Sequence, residues 1–259
     1  MNPPLVIFGS GLLAGAMNAL AGGGTFVALP ALISVGVPSV QANASSTVGL
    51  FPGIAASAWA YRDGLAPIGA VSLRSLLFIT VVGGAIGAWL LMSTPSTTFD
   101  SLLPWLLLIA TLTLSFGKRL GEALRRRWQI RPSAVLVIQL ALGIYGGYFG
   151  GAVGIMMMAV WSLLGSRDLK GLNAPRTLLV TAANTMAVLI FIVARAVRWN
   201  ETLIMLIAAT IGGYGGALLG RRAAPRVIRA GTLLIASGIT LLFFVRTYFK
   251  LNPMHPFGP

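Results

Sequence analysis

The chain has 259 residues, of which 56% are hydrophobic and 9% are charged, and its mean hydropathy is +0.87. Soluble domains carry about 25% charged residues, so this composition excludes an ordinary soluble protein. A net charge of +14 would indicate a nucleic-acid partner in a soluble chain. Here, however, the basic residues lie between apolar runs, as in the cytoplasmic loops of membrane proteins, and we expect no nucleic-acid partner.

Apolar runs of about 20 residues recur along the chain, and such runs are typical of transmembrane helices. We therefore predict an all-α polytopic membrane protein. Each half begins with a broken apolar segment, interrupted at Gly22–Gly24 and around Gly150–Gly154. In chain order we predict a hairpin at 4–35, helices at 42–62, 68–93 and 101–117, a basic cytoplasmic loop at 118–132, a hairpin at 133–165, helices at 171–197, 200–220 and 226–248, and a tail at 251–259.

The two halves resemble each other, which indicates an internal duplication. At an offset of 130, Gly24 aligns with Gly154, Asn43 with Asn173, and Thr47 with Thr177. Further on, "GGAIGAWLL" at 83–91 resembles "GGYGGALLG" at 212–220, at an offset of 129. Two blocks in the same order at nearly the same offset predict two homologous units, at 1–117 and 133–250.

Two architectures are open, depending on whether the broken segments cross the membrane or turn back. If they cross, each unit has four crossings and the repeats are parallel. If they turn back as re-entrant hairpins, each unit has three crossings and the repeats are inverted. The crossing arrangement places the arginine cluster at 221–229 outside, whereas the re-entrant one leaves only Arg195, Arg198, Arg246 and Lys250 there. Because Lys and Arg favour the cytoplasmic side, we prefer inverted repeats.

The breaks also predict a binding site for an anion. Half-helix N-termini present free N–H groups and the positive end of a dipole. None of the five acidic residues lies in the middle of a predicted span, which argues against a common proton or Na⁺ pump. The remaining polar groups are neutral or basic and suit an oxyanion. We predict that the substrate lies between the two hairpin tips, bound by Asn18, Gly22, Gly23, Gly24, Asn43, Ser46, Gly151, Gly154, Asn173, Arg176 and Asn184.

The run "GLLAGAMNALAGGGTFVALPALISVGVPSVQANASSTVGL" resembles the sulfite exporter TauE/SafE family. That family has a glycine-rich start with an Asn, an AGGG stretch, a Pro and an Ala-Asn-x-(Ser/Thr) motif. The second-half runs "GIYGGYFGGAVGIMMM" and "LNAPRTLLVTAANTMAVLIF" are similar to its repeated half. The resemblance implies a membrane permease for sulfur-containing anions such as sulfite, sulfoacetate and other organosulfonates. One departure is "GGAVG" in the second unit where the first has "AGGG", which predicts an asymmetric site.

The leading hypothesis is therefore a multi-pass transporter of the bacterial inner membrane that exports small sulfur-containing oxyanions by alternating access. Its expected partners are the anion and the lipid bilayer. An importer or passive channel for the same anions remains an alternative, as does a membrane assembly protein without transport. We expect neither an enzyme nor a cofactor or metal, because no nucleophile–base pair or acid pair falls within the predicted spans and the chain has no cysteine. The sequence leaves the oligomeric state open.

Overall fold

The computed structural model describes residues 2–68, 71–127, 131–164, 169–220 and 225–249, and helices dominate these ranges. The α-helices are α1 (Pro3–Ala21), α2 (Thr25–Ser34), α3 (Ser39–Ala60), α4 (Leu73–Ser93), α5 (Ser96–Arg127), α6 (Pro132–Tyr148), α7 (Val153–Ser162), α8 (Asn173–Val193), α9 (Trp199–Gly220) and α10 (Pro225–Tyr248). Short 3₁₀ turns occupy Arg62–Gly64 and Leu169–Leu172. Extended pairing within the described ranges is limited to one isolated bridge, between Ile68 and Val71.

Six of the described helices are long and apolar enough to cross a membrane, namely α1, α4, α5, α8, α9 and α10. Large apolar side chains such as Phe78, Trp89 and Leu234 lie exposed on the outside, where lipid would surround them. The prediction of an all-α polytopic membrane protein is confirmed. Although α3 has 22 residues, its first half carries Gln41, Asn43 and the hydroxyls of 45–47, so it falls outside that set.

Several predicted boundaries differ from the observed ones. The basic loop predicted at 118–132 is wrong over its first part, because α5 continues to Arg127. The reason is local, since Lys, Arg, Leu, Glu and Ala are good helix formers and no proline intervenes before Pro132. The helix predicted to begin at 68 begins instead at Leu73, where the Ser72 hydroxyl accepts a hydrogen bond from the Ser75 amide at 3.1 Å. The tail predicted at 251–259 lies outside the described residues.

The first broken segment turns back on itself. Gly22 adopts a left-handed conformation, with φ of +73°, directly after the last residue of α1. Gly24 then lies against the backbone of Ala14, and a Leu50 methyl group of α3 lies within contact distance of it. Because α2 leads from there to the start of α3 at Ser39, it runs antiparallel to both α1 and α3.

The second broken segment repeats this turn with different residues. Gly150 has φ of +80° and Ala152 has φ of +58°, between the end of α6 and the start of α7. A chain of buried side chains then fixes α7 against α4 and α6. The Gln139 amide nitrogen donates to the Thr80 hydroxyl at 2.8 Å, and the Trp161 indole N–H donates to the Gln139 amide oxygen at 3.0 Å.

Glycine-lined contacts join the two halves of the chain. Helix α1 packs parallel to α9, with Gly15 against Ala209, and α4 packs parallel to α6, with Gly143 against the Thr80 backbone. In contrast, α5 and α10 are antiparallel, and the hydroxyls of Thr111 and Thr240 are hydrogen-bonded at 2.8 Å. Small residues at such interfaces allow helix backbones to approach closely in a membrane.

Replacing Gly15 by alanine is expected to lower the stability by about 1–3 kcal/mol, the usual cost of overpacking. A Cβ atom at this position would overlap the carbonyl oxygen of Ala209, so α1 and α9 would have to separate. Gly9→Ala on the same helix is the matched control, because no heavy atom lies within 4 Å of its Cβ position. Thermal unfolding in detergent measures both variants, and equal losses in melting temperature would contradict the prediction.

Candidate functional site

The two chain breaks face one cavity of about 190 Å³ in the interior of the helix bundle. Asn18, Gly22 and Thr25 line it from the first break. Phe149, Gly150 and the 152–155 stretch line it from the second. The two segments that lack regular helical hydrogen bonds are therefore gathered around the same space, where a ligand or water can pair with their polar groups.

The helices that follow the breaks, α2 and α7, begin at this cavity. The first-turn amides of a helix have no acceptor within the helix, and the helix dipole places positive potential at that end. Thr25 is the first residue of α2, while Val153 and Gly154 form the start of α7. Two helix N-termini directed at one space form a favourable environment for an anion.

One face of α3 forms the cavity wall opposite the breaks. Its wall residues are Thr47, Leu50, Ile54, Ser57 and Tyr61, spaced three or four residues apart as a helix face requires. The Thr47 hydroxyl donates to the carbonyl of Asn43 at 2.8 Å, and the Ser57 hydroxyl to that of Gly53 at 2.9 Å. A rotation about χ1 or the C–O bond redirects such a hydroxyl to a ligand.

Helix α8 supplies the cationic part of the wall. Arg176, Thr177, Val180 and Asn184 line the cavity, and Arg176 is the one charged side chain among the described wall residues. A Cβ atom at Gly154 would lie 3.2 Å from Cγ and Cδ of Arg176, so the glycine leaves room for this long side chain. The one ion pair among the described residues, Arg62 with Asp63 at 3.8 Å, is exposed at the protein surface.

A wider chamber of about 980 Å³ adjoins the cavity. The two share wall residues at 19–21, Tyr61 and Ile155. Arg226 and Arg229 of α10 also line the chamber, and the Arg229 guanidinium donates to the carbonyl of Ser115 at 2.8 Å. The end of the bundle that contains this chamber is called the basic end below. Arginines of this end whose side chains the structure describes include Arg62, Arg74, Arg131, Arg226 and Arg229.

The opposite end of the bundle is closed. The Asn43 amide nitrogen donates to the carbonyl of Tyr148 at 2.9 Å, which joins α3 to the end of α6. The Arg198 amide donates to the Ser45 hydroxyl at 2.9 Å. Two aromatic side chains near these contacts are also buried, namely Phe149, which follows Tyr148 and lines the cavity, and Phe191, which lies between Asn184 and Arg198 in the sequence. The cavity therefore communicates with the basic end and is sealed from the other.

Five of the eleven predicted binding residues lie on the cavity wall, namely Asn18, Gly22, Gly154, Arg176 and Asn184. The other six lie off it, namely Gly23, Gly24, Asn43, Ser46, Gly151 and Asn173. The contacts of four of these six residues explain why they do not line the cavity. Gly24 packs on α1, Gly151 lies against the Phe149 ring, and Asn43 is held by the Tyr148 carbonyl. Ser46 is fully buried and donates to the Asn43 carbonyl at 3.0 Å.

The prediction also left out five polar wall residues, Thr25, Thr47, Ser57, Tyr61 and Thr177. A helical spacing pattern extended from Thr47 would have found Ser57 and Tyr61, because both continue the pattern of steps of three and four residues along one helix face. Thr177 follows from the internal repeat, as the counterpart of Thr47. Thr25 carries no comparable signal.

The comparisons with known proteins agree with a transport function. The profile of the family described as "Sulfite exporter TauE/SafE" matches residues 7–243. The chain is 28% identical to the "Probable membrane transporter protein" of Haemophilus influenzae, over 93% of this chain and 92% of the relative. It is 26% identical to the "Probable membrane transporter protein YfcA" of Escherichia coli (strain K12), over 90% of this chain and 86% of the relative.

A third relative, the "Probable membrane transporter protein ORF9" of a Sinorhizobium species, is 23% identical over 96% of this chain and 93% of its own length. No solved structure is significantly similar to the chain. The family profile spans nearly the whole length, from α1 to α10, and therefore includes both chain breaks and the cavity between them. The chain is a membrane transporter that belongs to the sulfite exporter TauE/SafE family.

Proposed function

We propose that the protein exports small sulfur-containing oxyanions, such as sulfite, sulfoacetate or other organosulfonates, across the bacterial inner membrane. The observation that carries this proposal is the cavity where two helix N-termini meet the Arg176 side chain. Charge-assisted hydrogen bonds from an arginine are among the strongest contacts that an oxyanion can make. The description of the family as sulfite exporters supports the sulfur-containing substrate class.

Inverted repeats explain how one site can serve both sides of the membrane. The contact of Gly15 with Ala209 has a counterpart in that of Gly143 with Thr80. Gly143 follows Gly15 by 128 residues, and Ala209 follows Thr80 by 129. Thr111 and Thr240, which are hydrogen-bonded, are themselves 129 residues apart. These residues lie on α5 and α10, which occupy equivalent places in the two halves and are antiparallel. A two-fold axis reverses the direction of a helix only if the axis is perpendicular to that helix, as it is between inverted repeats. These contacts support a site at the repeat interface, as in known inverted-repeat transporters.

The basic end is assigned to the cytoplasm. Cytoplasmic segments of membrane proteins carry an excess of Lys and Arg, and the chamber arginines Arg226 and Arg229 lie at this end. The cavity then opens toward the cytoplasm, from which an exported anion is collected. A negative charge gains about 2.3 kcal/mol per 100 mV on leaving a cell that is negative inside, so outward movement needs no coupled ion.

Alternating access requires that the site open to one side at a time. The cavity adjoins the chamber at the basic end, while the hydrogen bond from Asn43 to Tyr148 and the rings of Phe149 and Phe191 close the other end. We assign this arrangement to the inward-open state of the cycle. In the outward-open state, the seal at the opposite end would separate and the chamber would close.

The first test is ligand-dependent stability. Purified protein is heated with sulfite, sulfate, thiosulfate or a series of sulfonates, each at equal ionic strength. A ligand present at 100 times its dissociation constant stabilises the folded state by about 2.7 kcal/mol, so a binding anion raises the melting temperature clearly. Flux of the binding anions into proteoliposomes under imposed potentials of both signs then reports transport and its direction. Neither stabilisation nor flux with any of these anions would contradict the proposal.

A further inference from the structure

The middle of the cavity is lined by matching residues from the two halves of the chain. Thr47 and Thr177 are 130 residues apart in the sequence, and both lie on the wall. The same offset relates Leu50 to Val180 and Ile54 to Asn184, and these four residues also lie on the wall. A ligand at this level has equivalent neighbours on α3 and α8, whichever side the site is open to.

Arg176 breaks this correspondence. Its counterpart at the same offset is Ser46, which is fully buried at the closed end and donates to the carbonyl of Asn43. Toward the basic end, the wall continues to the Tyr61 hydroxyl, whose counterpart is the buried Phe191. At these two positions the basic end is therefore cationic and polar, whereas the counterparts Ser46 and Phe191 at the opposite end carry no charge. The arginines of the opposite end, Arg195 and Arg198, are exposed and do not line the cavity.

We propose that Arg176 makes the site bind anions more tightly when it is open to the basic end than when it is open to the opposite end. This inference rests on the proposed transport of anions through this cavity. When the opposite end opens, the basic end closes, and Arg176 lies in the closed half as Ser46 does now. The route that opens then passes Ser46 and Phe191, which offer an anion no positive charge. Arg176 is in this sense a residue that determines sidedness.

The consequence is kinetic. An anion is captured at low concentration from the basic end and released readily at the other. The equilibrium distribution across the membrane is still set by the concentration gradient and the membrane potential. An anion that binds one state more tightly also shifts the population toward that state, so occupancy at the basic end and conformation are linked.

The experiment measures transport from each face separately. The chain has no cysteine, so a single cysteine in place of the exposed Ser34, beside the closed end, marks orientation. Protein is reconstituted at a single copy per vesicle, and a membrane-impermeant biotin–maleimide labels only the copies whose closed end faces outward. Capture on streptavidin separates the two orientations. Initial uptake of radiolabelled sulfite, and its inhibition by methanesulfonate, then gives a half-saturating concentration for each face.

We expect the half-saturating concentration at the basic end to be at least tenfold lower than at the opposite end. Arg176→Ser should raise the value at the basic end to that of the other face and leave the other face unchanged. Arg176→Lys, which retains the charge, should keep part of the difference. Arg74→Ser is the matched control, because Arg74 is exposed at the same end and away from the cavity wall.

Two results overturn the inference. The first is a wild-type protein that transports with equal half-saturating concentrations from both faces. This measurement does not depend on whether any variant folds. The second is an Arg176→Ser variant that weakens both faces equally. In either case the protein still transports anions, but Arg176 does not make binding tighter at the basic end. If the wild-type protein transports neither sulfite nor any other anion of the series above from either face, the proposed function fails, and this inference fails with it.

Discussion

Replacing Gly24 by alanine should lower transport about 100-fold, the size of effect that a misplacement near 1 Å can have in a preorganised site. A Cβ atom at Gly24 would lie 2.6 Å from the carbonyl oxygen of Ala14 and 3.0 Å from the Cβ atom of Asn18. Both atoms belong to α1, which cannot yield without opening the hairpin. Asn18 lines the cavity, so this shift displaces the wall together with the N-terminus of α2.

The neighbouring glycine provides the control for this experiment. A Cβ atom at Gly23 would lie 3.4 Å from a Thr232 methyl group, which is ordinary van der Waals contact. Gly23→Ala should therefore keep most of the transport activity. Both variants are compared by initial uptake of radiolabelled sulfite in proteoliposomes containing equal amounts of monodisperse protein. Equal activity of the two variants would show that the close contact of α2 with α1 is not needed.

Replacing Asn43 by leucine should open the sealed end of the protein. The side chain is 1% exposed, and its amide nitrogen donates to the Tyr148 carbonyl, immediately before the second break. Leucine has a similar shape but no donor, so this carbonyl would remain buried without its partner. Such a loss costs about 1–3 kcal/mol, which corresponds to about a 5- to 140-fold shift toward the state open at that end.

Cysteine accessibility measures this shift. Ala187 is fully buried on α8, and an Ala187→Cys change introduces a single thiol beneath the sealed end, because the chain has no cysteine of its own. A membrane-impermeant maleimide should label it at least about fivefold faster when Asn43→Leu is added. Asn173→Leu, the counterpart of the first change in the other half of the chain, should leave the rate unaltered. Unchanged labelling with Asn43→Leu would contradict the assigned role of the seal.

Predicted residues reached the cavity wall where a local property of the sequence marked them. Gly22 has a positive φ and lies on the cavity wall, as the interruption of an apolar run by three glycines indicated. Arg176 could be chosen because a basic residue within an apolar helix is rare. Asn43 was chosen on similar grounds, yet its amide is committed to Tyr148, which is 105 residues away in the sequence. No local pattern reports such a partner.

The sequence alone determined the class of the protein and the places where its helices break. Hydrophobic run length is set by bilayer thickness, and glycine interrupts helices through its own backbone freedom, so both are local properties. Only the tertiary structure decided which polar residues share a cavity and which end is closed. Those features depend on how α3 and α8 are rotated about their axes, and packing against α9 and α4 fixes that rotation. The contacts involved join residues more than 50 positions apart, and their pairing is not encoded in any short stretch of the chain.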